Sequence, residues 1–97
     1  MARRKLERDL LAKLLLSVKT EADMNELLTE LFSPDEIHRA HQRIFVAHAL
    51  LSDETYRSIE QRLKTSTYVI YRTKTNIVNA NSGIVKRFLN SLSEDSN

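Results

Sequence analysis

Apolar residues recur along this chain three and four positions apart, the spacing that lines one face of an α-helix. Between Arg4 and Val18 the stripe is Leu6, Leu10, Leu14 and Leu15, widened by Leu11, Leu16 and Val18. That predicts a first helix too apolar to stand alone in water, so it should pack against a partner, another subunit. Thr20-Glu21-Ala22-Asp23 can cap a second helix, which runs through Met24, Leu27, Leu28, Leu31 and Phe32. Ser33-Pro34-Asp35-Glu36 is the clearest boundary: serine caps, proline takes the first helical position, and Glu36 completes a capping box. The third helix continues to Leu51. Ile37, Ala40, Ile44, Ala47 and Leu51 line one side of it, with Phe45, Val46, Ala49 and Leu50 beside them. Apolar over more than half its circumference, it should be the central helix of a small domain.

After the turn Ser52-Asp53-Glu54, residues 55–78 read as two short helices joined by a tight turn. In the first, capped by Thr55, the inward positions are Tyr56, Ile59 and Leu63. In the second, Ile70, Ile77 and either Thr73 or the Lys74 stem face inward. Ser66, Thr67, Tyr68, Tyr71, Arg72 and Thr75 face out. A face of hydroxyls, aromatic rings and arginine carries donors without negative charge, which suits a phosphate-lined groove. The pattern is that of a helix-turn-helix with its recognition helix second, although the turn has Lys64-Thr65 where a glycine is usual. Asn79-Ala80-Asn81-Ser82-Gly83 turns the chain again, and Ile84, Val85, Phe88, Leu89 and Leu92 mark a last helix over 83–93, followed by a polar, frayed tail. The expectation is one all-α domain of six helices: 1–54 for dimerisation, 55–78 for the helix-turn-helix, 83–93 for the carboxyl-terminal helix.

Composition agrees, with one Gly and one Pro in 97 residues. No cysteine is present, which excludes thiolate chemistry and suits a reducing cytoplasm. No apolar run reaches the ~20 residues of a membrane span, and Glu7 and Asp9 argue against a signal peptide. The net charge of +2 is unevenly spread: the first 54 residues hold eight bases against ten acids, the remaining 43 seven against three. The bases Arg57, Arg62, Lys64, Arg72, Lys74, Lys86 and Arg87 thus surround the candidate reading helix, with Glu60 the single acid between Thr55 and Phe88. A merely solvated basic face, or the docking face of a helical adaptor for an acidic protein, is the rival reading. His38, His41 and His48 share the third helix, but no HExxH and no third ligand at suitable spacing accompanies them, so they read as surface or interface histidines. Nothing supports catalysis or a bound cofactor.

The order of six helices, the SPDE opening of the third, and the blocks QRIFVAHALL, TYRSIE and TSTYVIYR resemble the Trp repressor superfamily, in particular its TrpR-like YerC/YecD branch. The resemblance covers roughly Thr20 to Leu92. It implies an intertwined all-helical homodimer that binds double-stranded operator DNA, with one recognition helix per subunit in successive major grooves, and no membrane partner. Carried over, the operator-contacting positions are Arg57, Thr67, Tyr68 and Tyr71. With the outward face and bases read above, the candidate DNA-binding residues are Arg57, Lys64, Ser66, Thr67, Tyr68, Tyr71, Arg72, Lys74 and Thr75. Tyr68 and Tyr71 are larger than the small residues usual in the family, which implies a different operator. Arg43 and Arg72 stand where two arginines sandwich the family's indole ligand. The hydroxyl that helps fix that ligand is Val69 here, and a small glycine is Thr73. The expectation is therefore a regulator, a repressor by resemblance, that does not respond to L-tryptophan. Arg43 and Arg72 are then held by acids or helix carboxyl ends, exposed, or paired within the dimer, with a different small anion the remaining candidate ligand between them.

Overall fold

The computed structural model describes residues 2–80 and 83–95, and the side chains of 9–80 and 83–92. Leu6 of the first stripe and Asn81-Ser82 of the last turn lie outside those described side chains and residues. Among the described residues the chain is all-helical: α1 (Ala2–Ser17), α2 (Glu21–Leu31), α3 (Pro34–Leu51), α4 (Tyr56–Leu63), α5 (Thr67–Thr73) and α6 (Ile84–Asp95). Helix α5 continues through one π-helical turn, Lys74–Val78, in which the Asn79 N–H reaches back to the Lys74 carbonyl at 2.9 Å. Helix α6 extends through Asp95, past the point at which the polar sequence predicts fraying, so Ser93 to Asp95 are helical.

The chain divides into two compact units, residues 1–37 and 38–97. In the first, the caps are those legible in sequence. The Thr20 hydroxyl accepts from the Asp23 N–H at 3.1 Å. Ser33 and Glu36 form the reciprocal box: the Ser33 N–H donates to Glu36 Oε1 at 2.9 Å and the Glu36 N–H to Ser33 Oγ at 3.2 Å. Phe32 is extended and ends α2. No described side chain of this unit is buried, and Leu10, Leu11, Leu14, Leu16 and Leu31 are exposed. Leu14, Val18, Leu27 and Leu31 line a groove of about 370 Å³ rimmed by Asp23, Glu26 and Glu30.

The second unit owns the core. Val46 and Ala49 of α3, Ile59 of α4 and Ile70 of α5 are buried together, with Leu50, Tyr56 and Leu63 packed against them. Ala47 and Leu89 are buried as well, whereas Ile44 and Phe45 of α3 remain exposed, the Phe45 ring stacked on His41 at 6.3 Å. Two tight turns carry the chain between these helices with non-glycine residues in the left-handed region: Asp53 at φ 62° and Lys64 at φ 52°. After α4 the Thr65 N–H closes back to the Glu60 carbonyl at 3.3 Å, a Schellman ending in which lysine does the work usual for glycine. Gln42 of α3 supports that ending, since its Nε2 donates to the Leu63 carbonyl at 2.8 Å. At the far side Gly83, at φ 55°, starts α6, and Lys86 Nζ donates to the Val78 carbonyl at 3.3 Å, satisfying the end of the π turn.

With so few side chains in the core, each should count. Ile70→Ala should destabilise the fold by about 2–5 kcal/mol, while Tyr71→Ala, exposed on the same helix, should change stability by no more than about 0.5 kcal/mol. Urea unfolding followed by circular dichroism checks the contrast, and equal effects would mean that α5 is not anchored by Ile70.

Candidate nucleic-acid interface

Helix α5 is built to hold one face rigid and leave the other bare. Ser66 starts it, its Oγ accepting from the Val69 N–H at 3.2 Å. Ile70 is fully buried and Thr73 nearly so, as the inward positions require, whereas Lys74 is exposed with its ammonium 5.9 Å above the Tyr56 ring. Thus Thr73, not the Lys74 stem, takes the inward place. On the opposite side Tyr68 is 67% and Tyr71 59% exposed, with Ser66, Thr67, Arg72 and Thr75 exposed around them. Arg57 in the first turn of α4 and Lys64 in the turn are also exposed. All nine candidate contact residues therefore lie on α4, the turn, α5 or its π extension.

The hydroxyls on this face are less free than the sequence suggests. Ser66 Oγ is occupied by its cap, and Thr67 Oγ1 donates to Glu60 Oε1 at 2.8 Å. Charge is redistributed too. Arg62 does not add to the open basic surface: its Nε and Nη2 grip both oxygens of Glu54, at 3.0 and 2.7 Å, and the Ser58 hydroxyl donates to Glu54 at 2.7 Å. These bonds, first from Arg62 and then from Ser58, hold the Glu54 carboxyl down to about 2, and the same pairing raises the Arg62 pKa. Arg57, Lys64, Arg72 and Lys74 have no acid partner among the described residues.

Arg43 and Arg72 do meet at one place. With Tyr68, Val69, Thr73, Asn76 and Ile77 they line a pocket of about 410 Å³. Neither guanidinium is held by an acid or by a helix carboxyl end among the described residues; both are exposed. Their two positive charges tolerate that arrangement because water reaches them. The π turn matters here, since it supplies Asn76 and Ile77 to the pocket wall. Such turns inside α-helices are rare and concentrate at functional sites. The three histidines are exposed, and among the described residues no group of three or more metal-ligating side chains comes together.

A family model described as the Trp repressor protein matches residues 7–93. The chain belongs to that family. As a member of the Trp repressor family it is a helical DNA-binding regulator of transcription, in a family whose business is DNA binding rather than catalysis. No curated protein and no solved structure matches it significantly. Among the described residues no helix is long and apolar enough to cross a membrane.

Sequence reasoning missed Gln42, Glu54, Glu60 and Asn76. Glu54 and Arg62 are eight positions apart, on a loop and a helix, so no helical spacing announces their pair. A carboxylate depressed in the folded state stabilises the fold above its ordinary value of 4.5 and loses that contribution as pH falls toward about 2. The thermal midpoint of Glu54→Gln should therefore lie below that of the parent by a constant gap at neutral pH. The gap should close between pH 4.5 and about 2, and one that persists undiminished at pH 2 would show the pair adds nothing to stability.

Proposed function

We propose that this Trp repressor family chain is a homodimeric, sequence-specific repressor that binds double-stranded DNA through α5, acts in the cytoplasm, and does not use L-tryptophan as corepressor. The observation that supports this most is the split character of α5. Ile70 and Thr73 anchor it, while Tyr68, Tyr71, Arg72 and Thr75 face outward beside Arg57, Lys64 and Lys74, which no acid neutralises among the described residues. In this reading Arg57 reaches a base edge, because guanidinium can pair bidentately with guanine, and Lys64 touches only phosphate. Ser66, Thr67, Tyr68, Tyr71, Arg72, Lys74 and Thr75 complete the contact surface.

The first unit supports the dimer. A segment that buries none of its described side chains while exposing five leucines gains stability only by covering them, and a second copy is the simplest cover. Residues 1–54 are assigned that role, in the manner of the YerC/YecD branch.

Selection from random duplexes tests the assignment. The recovered site should be two-fold symmetric, with half-sites about 10 base pairs apart, as two recognition helices in successive major grooves demand. Arg57→Ala should cost roughly 1–3 kcal/mol on that site and relax specificity at one position. Lys64→Ala should weaken all duplexes about equally and lower the salt slope by about one. Identical effects of both changes on selected and random duplexes would refute the division of roles. Affinity for an acidic protein, with neither salt-dependent nor selective DNA binding, would replace this reading by that of an adaptor.

The ligand claim rests on the pocket wall. Val69 offers no hydrogen bond to a ligand, and the Thr73 side chain occupies the place of a glycine beside Arg72. Titration calorimetry with L-tryptophan should show no saturable heat, and operator affinity should not change in its presence. Micromolar binding that tightens the operator complex would restore a corepressor mechanism.

A further inference from the structure

We infer that α5 recognises thymine, through a carbon surface made by Tyr68, Tyr71 and the Thr67 methyl rather than through a proton donated by Thr67. This rests on the DNA-binding reading above and adds the base class to it. A recognition helix brings its amino-terminal residues nearest the base edges, so what those residues still have to offer decides what they can read. Here the Thr67 proton is spent. Thr67 Oγ1 gives it to Glu60 Oε1 at 2.8 Å, while Ser66, at the cap position before the helix, accepts the Val69 N–H at 3.2 Å and keeps its own O–H for a phosphate. A threonine hydroxyl fixed in that way turns no donor toward the guanine N7 and O6 or the thymine O4 acceptors.

The largest exposed surface at the amino-terminal end of α5 is carbon: two tyrosine rings, 67% and 59% exposed, beside the exposed Thr67 with its committed hydroxyl. The tyrosine O–H at each ring tip is left for a phosphate. The major-groove edges carry one carbon group that such a surface can pack against, the C5 methyl of thymine. Burying a methyl between a ring and a base removes apolar area from water, which is worth about fourfold in affinity per methyl.

The test uses the full chain and the duplex recovered by selection, with each thymine replaced in turn by deoxyuridine, which lacks only that methyl. The parent protein should lose about fourfold in affinity for each contacted position. Tyr68→Phe and Tyr71→Phe should keep that discrimination, whereas Tyr68→Ala and Tyr71→Ala should bind the thymine and uracil forms alike at the position concerned. Thr67→Val keeps the methyl and should keep its discrimination. Thr67→Ser keeps the bond to Glu60 but lacks the methyl, and should lose it. These positions are exposed, so the variants retain the core, and circular dichroism verifies it. Selective binding that ignores every thymine-to-uracil change, discrimination that survives in both alanine variants, or selected half-sites of G·C pairs alone would overturn the thymine reading while DNA recognition stands. Recovery of no selected duplex at all would remove both.

Discussion

Everything on the outward face of α5 depends on one buried contact, the packing of Ile70 against Ile59, Val46 and Ala49. A seven-residue helix is too short to persist in water on its own propensity, because nucleation costs more than its few hydrogen bonds return. Its geometry therefore comes from the core on one side and from its ends on the other. Ser66 caps the start, the Lys64 turn fixes the angle of approach, and the π turn braced by Lys86 carries the far end into α6. Side chains that would cost solvation if buried are left outside as a set. That division makes an exposed tyrosine pair and a basic rim affordable in so small a core.

Electrostatics on this surface is a matter of pairing more than of count. A tally of bases treats Arg62 and Arg57 alike, yet the first is tied in a bidentate bridge to Glu54 and the second is not. The bridge spans the loop before α4 and the helix itself, so it stiffens the segment that presents Arg57, even though an exposed pair adds little net stability. Glu60 acts in a related way by taking the Thr67 proton. It thereby commits the proton of a residue that reads as a free donor. Two acids among many bases thus set which groups on the face remain free.

The two units meet their apolar requirements differently. Residues 38–97 close around a core of their own, whereas residues 9–37 leave their leucines in contact with solvent. The acid-rimmed groove beside Leu14 and Leu31 is part of that surface. A chain of this length buries a smaller share of its surface than a larger domain does, so association is the ordinary remedy.

Local chemistry was readable from the sequence because it acts over three or four residues. The caps at Thr20, Ser33, Thr55 and the box to Glu36, the inward stripe Tyr56-Ile59-Leu63 and the burial of Ile70 all follow from spacing, while the family was legible in the resemblance of short blocks. The proximity of Arg43 and Arg72 was implied by that resemblance, and the two line one pocket. Contacts between positions far apart along the chain were not readable. Nothing periodic links Gln42 to Leu63, Glu54 to Arg62, or Lys86 to Val78. Nor does spacing distinguish a free threonine from one whose hydroxyl a neighbouring helix has claimed, or an arginine in a pocket from one held by an acid. Periodicity decides which face of a helix turns inward. Only the packing of one helix on another decides which polar groups find partners, and therefore which are left for a ligand or a base.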